Sequence, residues 1–489
     1  IKYPKRATYF FTRLITETPK SHNFGPAVLA RGAIAEDSYR FLAAATDYKT
    51  YLGLSAKQIK LDEKQGEALR KKIVILTWLG GNSNELRATL ESKLICTENL
   101  TSYCERYSIL NRLADPTQSR DEATTELAFE RTRKESGESR TLWAALALEG
   151  AKNLAFRDRL VAIRVASSGW EDLDPLVKFA LLPYLSASIT KAIQLDRMGM
   201  REVAPLRADA KYITRRVEVI REMENAATKI MKLPWARIRA ESLNEIAGLY
   251  VDLAKGLTNL SPPKGLNTDE LTAYNDTIKK LILPFEEKGQ EMRGKAFEIA
   301  SRFMIEDESF SMIADPFFAE NPSQAKKIRP DKEAPKPMEL NVKFIAKVDS
   351  FGRWDPKRDD DTDDRPNRVR SLWSAAVEKK HWAQIAFFIQ EAHEKKLFEE
   401  GPLGIMKAVS FASAGARGEG ISQLADVRNA VAKGESTTIV AATLVAYAVR
   451  SCAKSQAETF VKDLRDLAPD KLSRDHTRTV SAALSYIKK

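Results

Sequence analysis

The residues whose types could do chemistry are few and far apart. Of the four histidines, His22 falls in a turn, His381 and His393 lie about three turns apart on one helix, and His476 precedes the last helix. None has an obvious catalytic serine, cysteine or metal-ligand partner in sequence, so each reads as a turn or surface histidine. The run Asp359-Asp-Asp-Thr-Asp-Asp364 supplies the oxygens that a hard cation takes. It fails the calcium-loop pattern, because Asp364 stands where the sharp turn needs glycine and Arg370 stands where a bidentate glutamate belongs. The run therefore reads as a solvated acidic linker. Adjacent carboxylates such as Glu286-Glu287 would serve a glycosidase only if two of them faced each other across a cleft. Ser413-Ala-Gly-Ala-Arg-Gly-Glu-Gly420 lacks the strand and the lysine of a phosphate-cradling loop and reads as a connection between helices. No P-loop, GxSxG elbow, HExxH pair or GxGxxG turn after a strand occurs. No catalytic residue, cofactor site or metal site is expected.

Three cysteines exclude a disulfide-dense scaffold. Cys96 and Cys104 are close enough in sequence to bridge two helices of a hairpin in an oxidising compartment, or to pack in a helical core as small apolar residues; both readings stand. Six of the seven tryptophans (Trp78, Trp143, Trp170, Trp235, Trp373 and Trp382) lie in or beside apolar periodic stretches and read as core. Trp354 sits in the polar stretch Phe351-Gly-Arg-Trp-Asp-Pro356, and it is the residue expected to touch a partner.

The elements around these residues are helical. The 489-residue chain is rich in Ala, Leu, Ile, Lys, Arg and Glu and poor in Gly and Pro, a helix-forming mixture. Apolar residues recur at three- and four-residue steps, as in Leu243, Ile246, Leu249, Leu253 and Leu257, so each helix carries a stripe that a neighbour must cover. Only Leu340 to Val348 has strand-like alternation. The net charge is +11, with 67 acidic residues interleaved among the basic ones; such mixing makes solvated helix faces rather than a nucleic-acid footprint. No run of about eighteen apolar residues is present, so no transmembrane segment is expected.

Joints are marked by Gly80-Gly81-Asn82-Ser83, where Asn82 or Ser83 can cap the next helix, by Asp115-Pro116, by Gly169-Trp170 and by Ser261-Pro-Pro-Lys-Gly265. A long helix is expected from Thr268. The prolines and charge blocks between about Pro316 and Pro366 divide the chain into a helical solenoid over 1–315, an irregular connector with a short extended piece over 316–370, and a second helical repeat segment over 371–489.

Three stretches resemble the tetratricopeptide family of α-solenoids. Phe11 to Leu52 contains Thr16-Glu-Thr-Pro-Lys-Ser21 where a repeat joint would fall, then Tyr39, Ala43, Ala44, Ala45 and Tyr48. Leu372 to Ala392 contains Trp373, Ala376, Trp382, Ala383 and Ala386, with Val377 and Lys380 departing from the consensus. Ser261-Pro-Pro-Lys-Gly-Leu-Asn-Thr-Asp-Glu-Leu-Thr-Ala-Tyr274 and Leu283-Pro-Phe-Glu-Glu-Lys288 are similar to a segment of deltaproteobacterial gliding-motility and outer-membrane-associated scaffold proteins, with Gly289 where those have alanine. The resemblance implies stacked helical hairpins of an all-α fold and a non-catalytic scaffold that binds other proteins of an envelope assembly concerned with motility or secretion. It also implies a periplasmic or outer-membrane-associated location. Because the chain begins at Ile1 without a Met, its N-terminus is expected to lie further upstream, with room there for a signal peptide or lipid anchor. A peptidoglycan-acting or peptidoglycan-binding helical protein is the alternative, and a nucleic-acid-binding solenoid a more distant one.

Overall fold

Good helix formers, capped at their starts and broken by short turns, fill nearly all of the described chain. The computed structural model describes residues 4–54, 61–115, 120–207, 210–262, 264–306, 308–329, 334, 336–348, 365–431, 435–466 and 474–488. Among them every regular element is helical. The first part holds α1 (Pro4–Glu17), α2 (Phe24–Asp37), α3 (Phe41–Leu52), α4 (Glu63–Leu79), α5 (Ser83–Glu91), α6 (Thr101–Ala114), α7 (Glu122–Lys134), α8 (Gly137–Glu149) and α9 (Phe156–Ser168). Four longer helices and a short one follow: α10 (Pro175–Val203), α11 (Ala210–Ile230), α12 (Ala236–Thr258), α13 (Thr268–Arg302) and α14 (Glu308–Glu320). The rest are α15 (Pro322–Ile328), α16 (Val342–Lys347), α17 (Arg365–Glu378), α18 (Trp382–Glu394), α19 (Glu400–Ser413), α20 (Arg417–Val427), α21 (Glu435–Arg450), α22 (Lys454–Asp466) and α23 (Arg474–Lys488).

The starts follow local chemistry. The Asn82 side chain accepts from the backbone N–H of Asn84 and of Glu85, both at 3.1 Å, and opens α5. Asn267 and Glu270 form a reciprocal capping box that opens the 35-residue α13. Leu340 to Val348 is not a strand. The Asn341 side chain accepts from Lys343 and Phe344 N–H and starts the single-turn helix α16, which buries Phe344, Ile345 and Val348 on one side; helical spacing covers these three where alternation would expose one. Pro316 lies inside α14 and Pro322 takes the first position of α15, so helices run into the segment 316–370.

One joint recurs that sequence reasoning missed. After α2, α13, α17, α18, α19 and α21, a single residue turns into the left-handed region: Tyr39, Met304, Lys380, Lys396, Gly415 and Cys452. At each, the N–H of the following residue donates five residues back: Arg40 to Ala35, Ile305 to Ala300, His381 to Ala376, Leu397 to Ala392, Ala416 to Phe411 and Ala453 to Ala448. This is the six-to-one helix stop, and five of its six acceptors are buried alanines, whose small size lets the next helix fold back close by. Between α19 and α20 the approach leaves no room for a side chain: a Cβ on Gly420 would lie 2.5 Å from the Ala408 carbonyl oxygen. The Gly-rich stretch thus serves helix packing, with Arg417 to Gly420 forming the first turn of α20.

Most of the hairpin partners pack in chain order, but the C-terminal helices also fold back over the earlier ones, with α18 against α4 and α10, and α20 against α12. One continuous core runs from Ala35 to Tyr486. At its centre is α10, long and apolar enough by length and composition to cross a membrane, yet packed against α8, α9, α12 and α18. Within it the fully buried Asp196 accepts from Arg159 Nε at 2.5 Å, tying α9 to α10, while its second oxygen has no partner. Burial outweighs the pull of Arg159 and pushes this carboxyl up to about 7.

Two outcomes are expected from these features. Lys396 is exposed and pays for a left-handed backbone that glycine adopts freely, so Lys396→Gly should raise unfolding stability by up to about 1 kcal/mol in urea titrations. For Asp196 the folded state keeps a proton that the unfolded chain releases near pH 4. Its contribution to stability is therefore greatest at low pH and declines as pH rises toward 7. The stability difference between wild type and Asp196→Asn should fall by up to about 1.4 kcal/mol per pH unit between pH 5 and 7; a difference that stays flat would mean the carboxyl is ionised throughout.

Candidate functional site

A cleft forms where α18 meets the first half of the chain. It has a volume of about 150 Å³ and is lined by Trp78 at the end of α4, the Gly81-Asn82-Ser83 turn, Leu110 and Asn111 of α6, Tyr184 of α10, and Lys380-His381-Trp382. The α17–α18 joint delivers the last three. Lys380 takes the left-handed position, and the turn it makes places His381 at the N-cap of α18, where its Nδ1 accepts from the Gln384 N–H at 3.3 Å.

The opposite wall is shaped to fit. Gly81 adopts φ 72°, and a Cβ there would lie 2.3 Å from His381 Nε2, so only glycine satisfies both the turn and the imidazole. Gln384 Nε2 donates to the Leu79 carbonyl at 2.5 Å, latching the α4–α5 turn onto α18. Burial holds the His381 imidazole below the ordinary histidine range, and Lys379 adds to the effect. Tyr184 is pushed up to about 12, first by burial and then by Glu149. At neutral pH both groups are uncharged. The cleft offers aromatic faces, the amides of Asn82 and Asn111, the hydroxyls of Ser83 and Tyr184, the His381 imidazole and the Lys380 ammonium, with no carboxylate or thiol in its lining. Such a lining recognises by stacking and hydrogen bonding.

The other candidate residues are dispersed. His22 is an exposed turn residue and His393 an exposed residue at the end of α18, while His476 lies in α23. Glu286 and Glu287 are exposed on α13. Trp354 and Asp359 to Asp364 lie outside the described residues. Trp78, Trp143, Trp170, Trp235 and Trp373 are buried, whereas Trp382 is half-buried at the cleft. Among the described residues no group of three or more His, Cys, Asp or Glu side chains could hold a metal ion. Of the two readings of the cysteine pair, the structure adopts the first: Cys96, in the turn after α5, is bonded to Cys104 on α6. Cys452 is free and buried.

Nothing in the sequence points to the cleft, because His381 meets Trp78 and Tyr184 across hundreds of residues. No protein-family model matches the chain, and no curated protein matches it in sequence.

The lowered imidazole gives a signed expectation. As pH falls below about 6.5 the unfolded chain takes up a proton before folded His381 does, so the group costs stability on acidification. His381→Gln should remove that loss, and the His381 ring proton should titrate below about 6.5 by NMR. A midpoint above 6.5 would refute burial as the dominant influence.

Proposed function

We propose that the chain is a non-catalytic helical-repeat scaffold, of the tetratricopeptide-like solenoid type, that binds protein partners in a bacterial envelope assembly concerned with motility or secretion. The recurrence of one helix-hairpin joint supports the repeat reading, since the same turn and the same five-residue bond are used six times. The Cys96–Cys104 bond supports an oxidising, periplasmic or outer-membrane-associated setting.

The observation that carries the binding role is the first half of α13. Its 35 residues span about 52 Å at 1.5 Å per residue. The rings of Tyr250 on α12 and Phe285 on α13 stack at 6.4 Å, and α12 ends at Thr258, so the first turns of α13 pass beyond it. Between 268 and 281 no residue is buried. Leu271, Tyr274, Ile278 and Leu281 nevertheless recur at three- and four-residue steps along one side of this stretch, with Leu271 and Leu281 exposed. An apolar stripe on a projecting helix is the arrangement by which a helix docks with a partner groove or helix. The stretch that resembles envelope scaffold proteins includes this stripe.

The test is co-purification from cross-linked native cells. Leu271→Glu combined with Leu281→Glu should abolish recovery of a defined set of envelope proteins while leaving the melting temperature within about 2 °C, because both side chains are exposed. Recovery of the same set with both charges in place would refute the role of this helix. The cleft aromatics Trp78, Tyr184 and Trp382 favour one second reading, a binder of cell-wall glycan; retention on purified peptidoglycan, lost in Trp382→Ala, would select it.

A further inference from the structure

The cleft beside α18 is walled by the end of α4, the α4–α5 turn, α6, α10 and the α17–α18 joint. These walls are braced. Tyr107 meets Trp78 edge to face at 5.1 Å. Asn111 Nδ2 donates to the Ser83 carbonyl at 3.4 Å, and Gln384 ties α18 to the Leu79 carbonyl. The Trp382 indole lies within hydrogen-bonding reach of Tyr184, which joins α18 to α10. The space is therefore shaped before anything enters it, as small-molecule sites usually are.

The polar lining is positive and rich in donors. His381 Nδ1 accepts from the Gln384 N–H, so in the neutral ring Nε2 carries the hydrogen. Asn82 Oδ1 is occupied by two backbone N–H groups, which leaves its Nδ2 hydrogens as what it offers. Lys380 is exposed, and among the described residues no carboxylate pairs with its ammonium. Glu149 acts on Tyr184 from outside the lining, where Arg120 and Ser188 already hold it. One positive charge with no acidic group in the same lining selects a monoanion; a dianion would bring a second charge that nothing there meets.

The apolar lining sets the rest of the ligand. Trp382 and Tyr184 are half-buried, so each keeps part of its surface open, beside the buried Leu86, Leu110 and Ala180. At about 150 Å³ the cleft has the room of a cavity that takes one six-membered ring.

We propose that the cleft is a binding site for a small carboxylate carrying one ring, which lies against Trp382 and Tyr184 while its carboxylate meets the Lys380 ammonium and the His381 Nε2–H group. Aromatic side chains hold a sugar ring by its C–H face and an aromatic ring by stacking, so a sugar acid and an aromatic acid share the chemistry recognised. The proposal rests on the same cleft aromatics as the glycan reading and adds the charged group that is bound. It does not involve α13, so it and the scaffold reading fail separately.

The experiment is isothermal titration calorimetry of the full chain with glucuronate and with phenylacetate, each up to about 10 mM, the range in which about ten non-hydrogen atoms bind. Glucose and phenylacetamide are the neutral counterparts. One acid at least is expected to bind about tenfold or more tightly than its counterpart, and which acid does so tells a sugar ligand from an aromatic one. Lys380→Gln should weaken that binding by about tenfold or more, Lys380→Arg should retain most of it, and Trp382→Ala should weaken it by a similar factor. Leu271→Glu, on α13, should bind as wild type does. Circular dichroism melts of each variant establish that it is folded, and the Lys380 variants, changed at an exposed side chain, keep the test open if Trp382→Ala does not fold. Failure of both acids to bind the wild-type chain, or binding that survives Lys380→Gln, would overturn the proposal. A neutral compound that binds as tightly as its acid would overturn it too, and if that compound is glucose the glycan reading stands without it.

Discussion

The structure depends on the burial of α18. This helix presents Ile385, Phe388 and Ala392 to the core, and its cover comes from elements hundreds of residues earlier. Tyr39, Phe41, Phe387 and Phe388 form a cluster of mostly edge-to-face rings, a geometry that adds to the area they bury. The Tyr39 hydroxyl donates to Glu391 at 2.8 Å, which gives a buried carboxylate a partner and raises the tyrosine above its ordinary range by burial and by that contact. Gln384 reaches the end of α4 in the same way. Without these contacts neither part of the chain would have its apolar surface fully covered.

The same region explains why one turn geometry recurs. Tyr39 and Lys380, the two left-handed residues of the α2–α3 and α17–α18 joints, both stand beside this contact. A non-glycine residue in that conformation costs about 1–2 kcal/mol, and the cost is offset where the side chain or its neighbour is needed. Tyr39 caps the aromatic cluster, and Lys380 sets His381 against Gly81. Lys396, exposed and without such a duty, keeps the conformation for the turn alone.

The charges fall into two groups with different consequences. Those drawn below the surface are paired and tie helices together: Arg31 with the buried Asp47, and the half-buried Arg450 with Glu306, while Arg159 donates to an Asp196 carboxyl that keeps its proton below about pH 7. Breaking such a pair leaves an uncompensated buried charge, which is where the ionic contribution to stability lies. Those on the surface are mostly local, as in Arg13 with Glu17 and Lys295 with Glu291, and contribute little to stability.

Helical periodicity, the cap at Asn82, the start of a long helix at Thr268, the breaks at Gly80-Gly81 and Gly169, and the burial of five of the tryptophans were all determined by the sequence alone. Each is a local property: a three-to-four-residue apolar step or an oxygen placed two or three residues before a free N–H can be read from neighbours. Leu340 to Val348 misled for the same reason, since alternation over nine residues does not reveal that Asn341 caps a helical turn. The left-handed joints were invisible because four of the six use Tyr, Lys or Met, which carry no signal for that conformation. Only the tertiary structure decided that Cys96 meets Cys104, that Asp196 is buried against Arg159, and that His381 lines one cleft with Trp78 and Tyr184. These are contacts between elements, and they are set by which apolar faces cover one another, a condition on the whole chain that no local window contains.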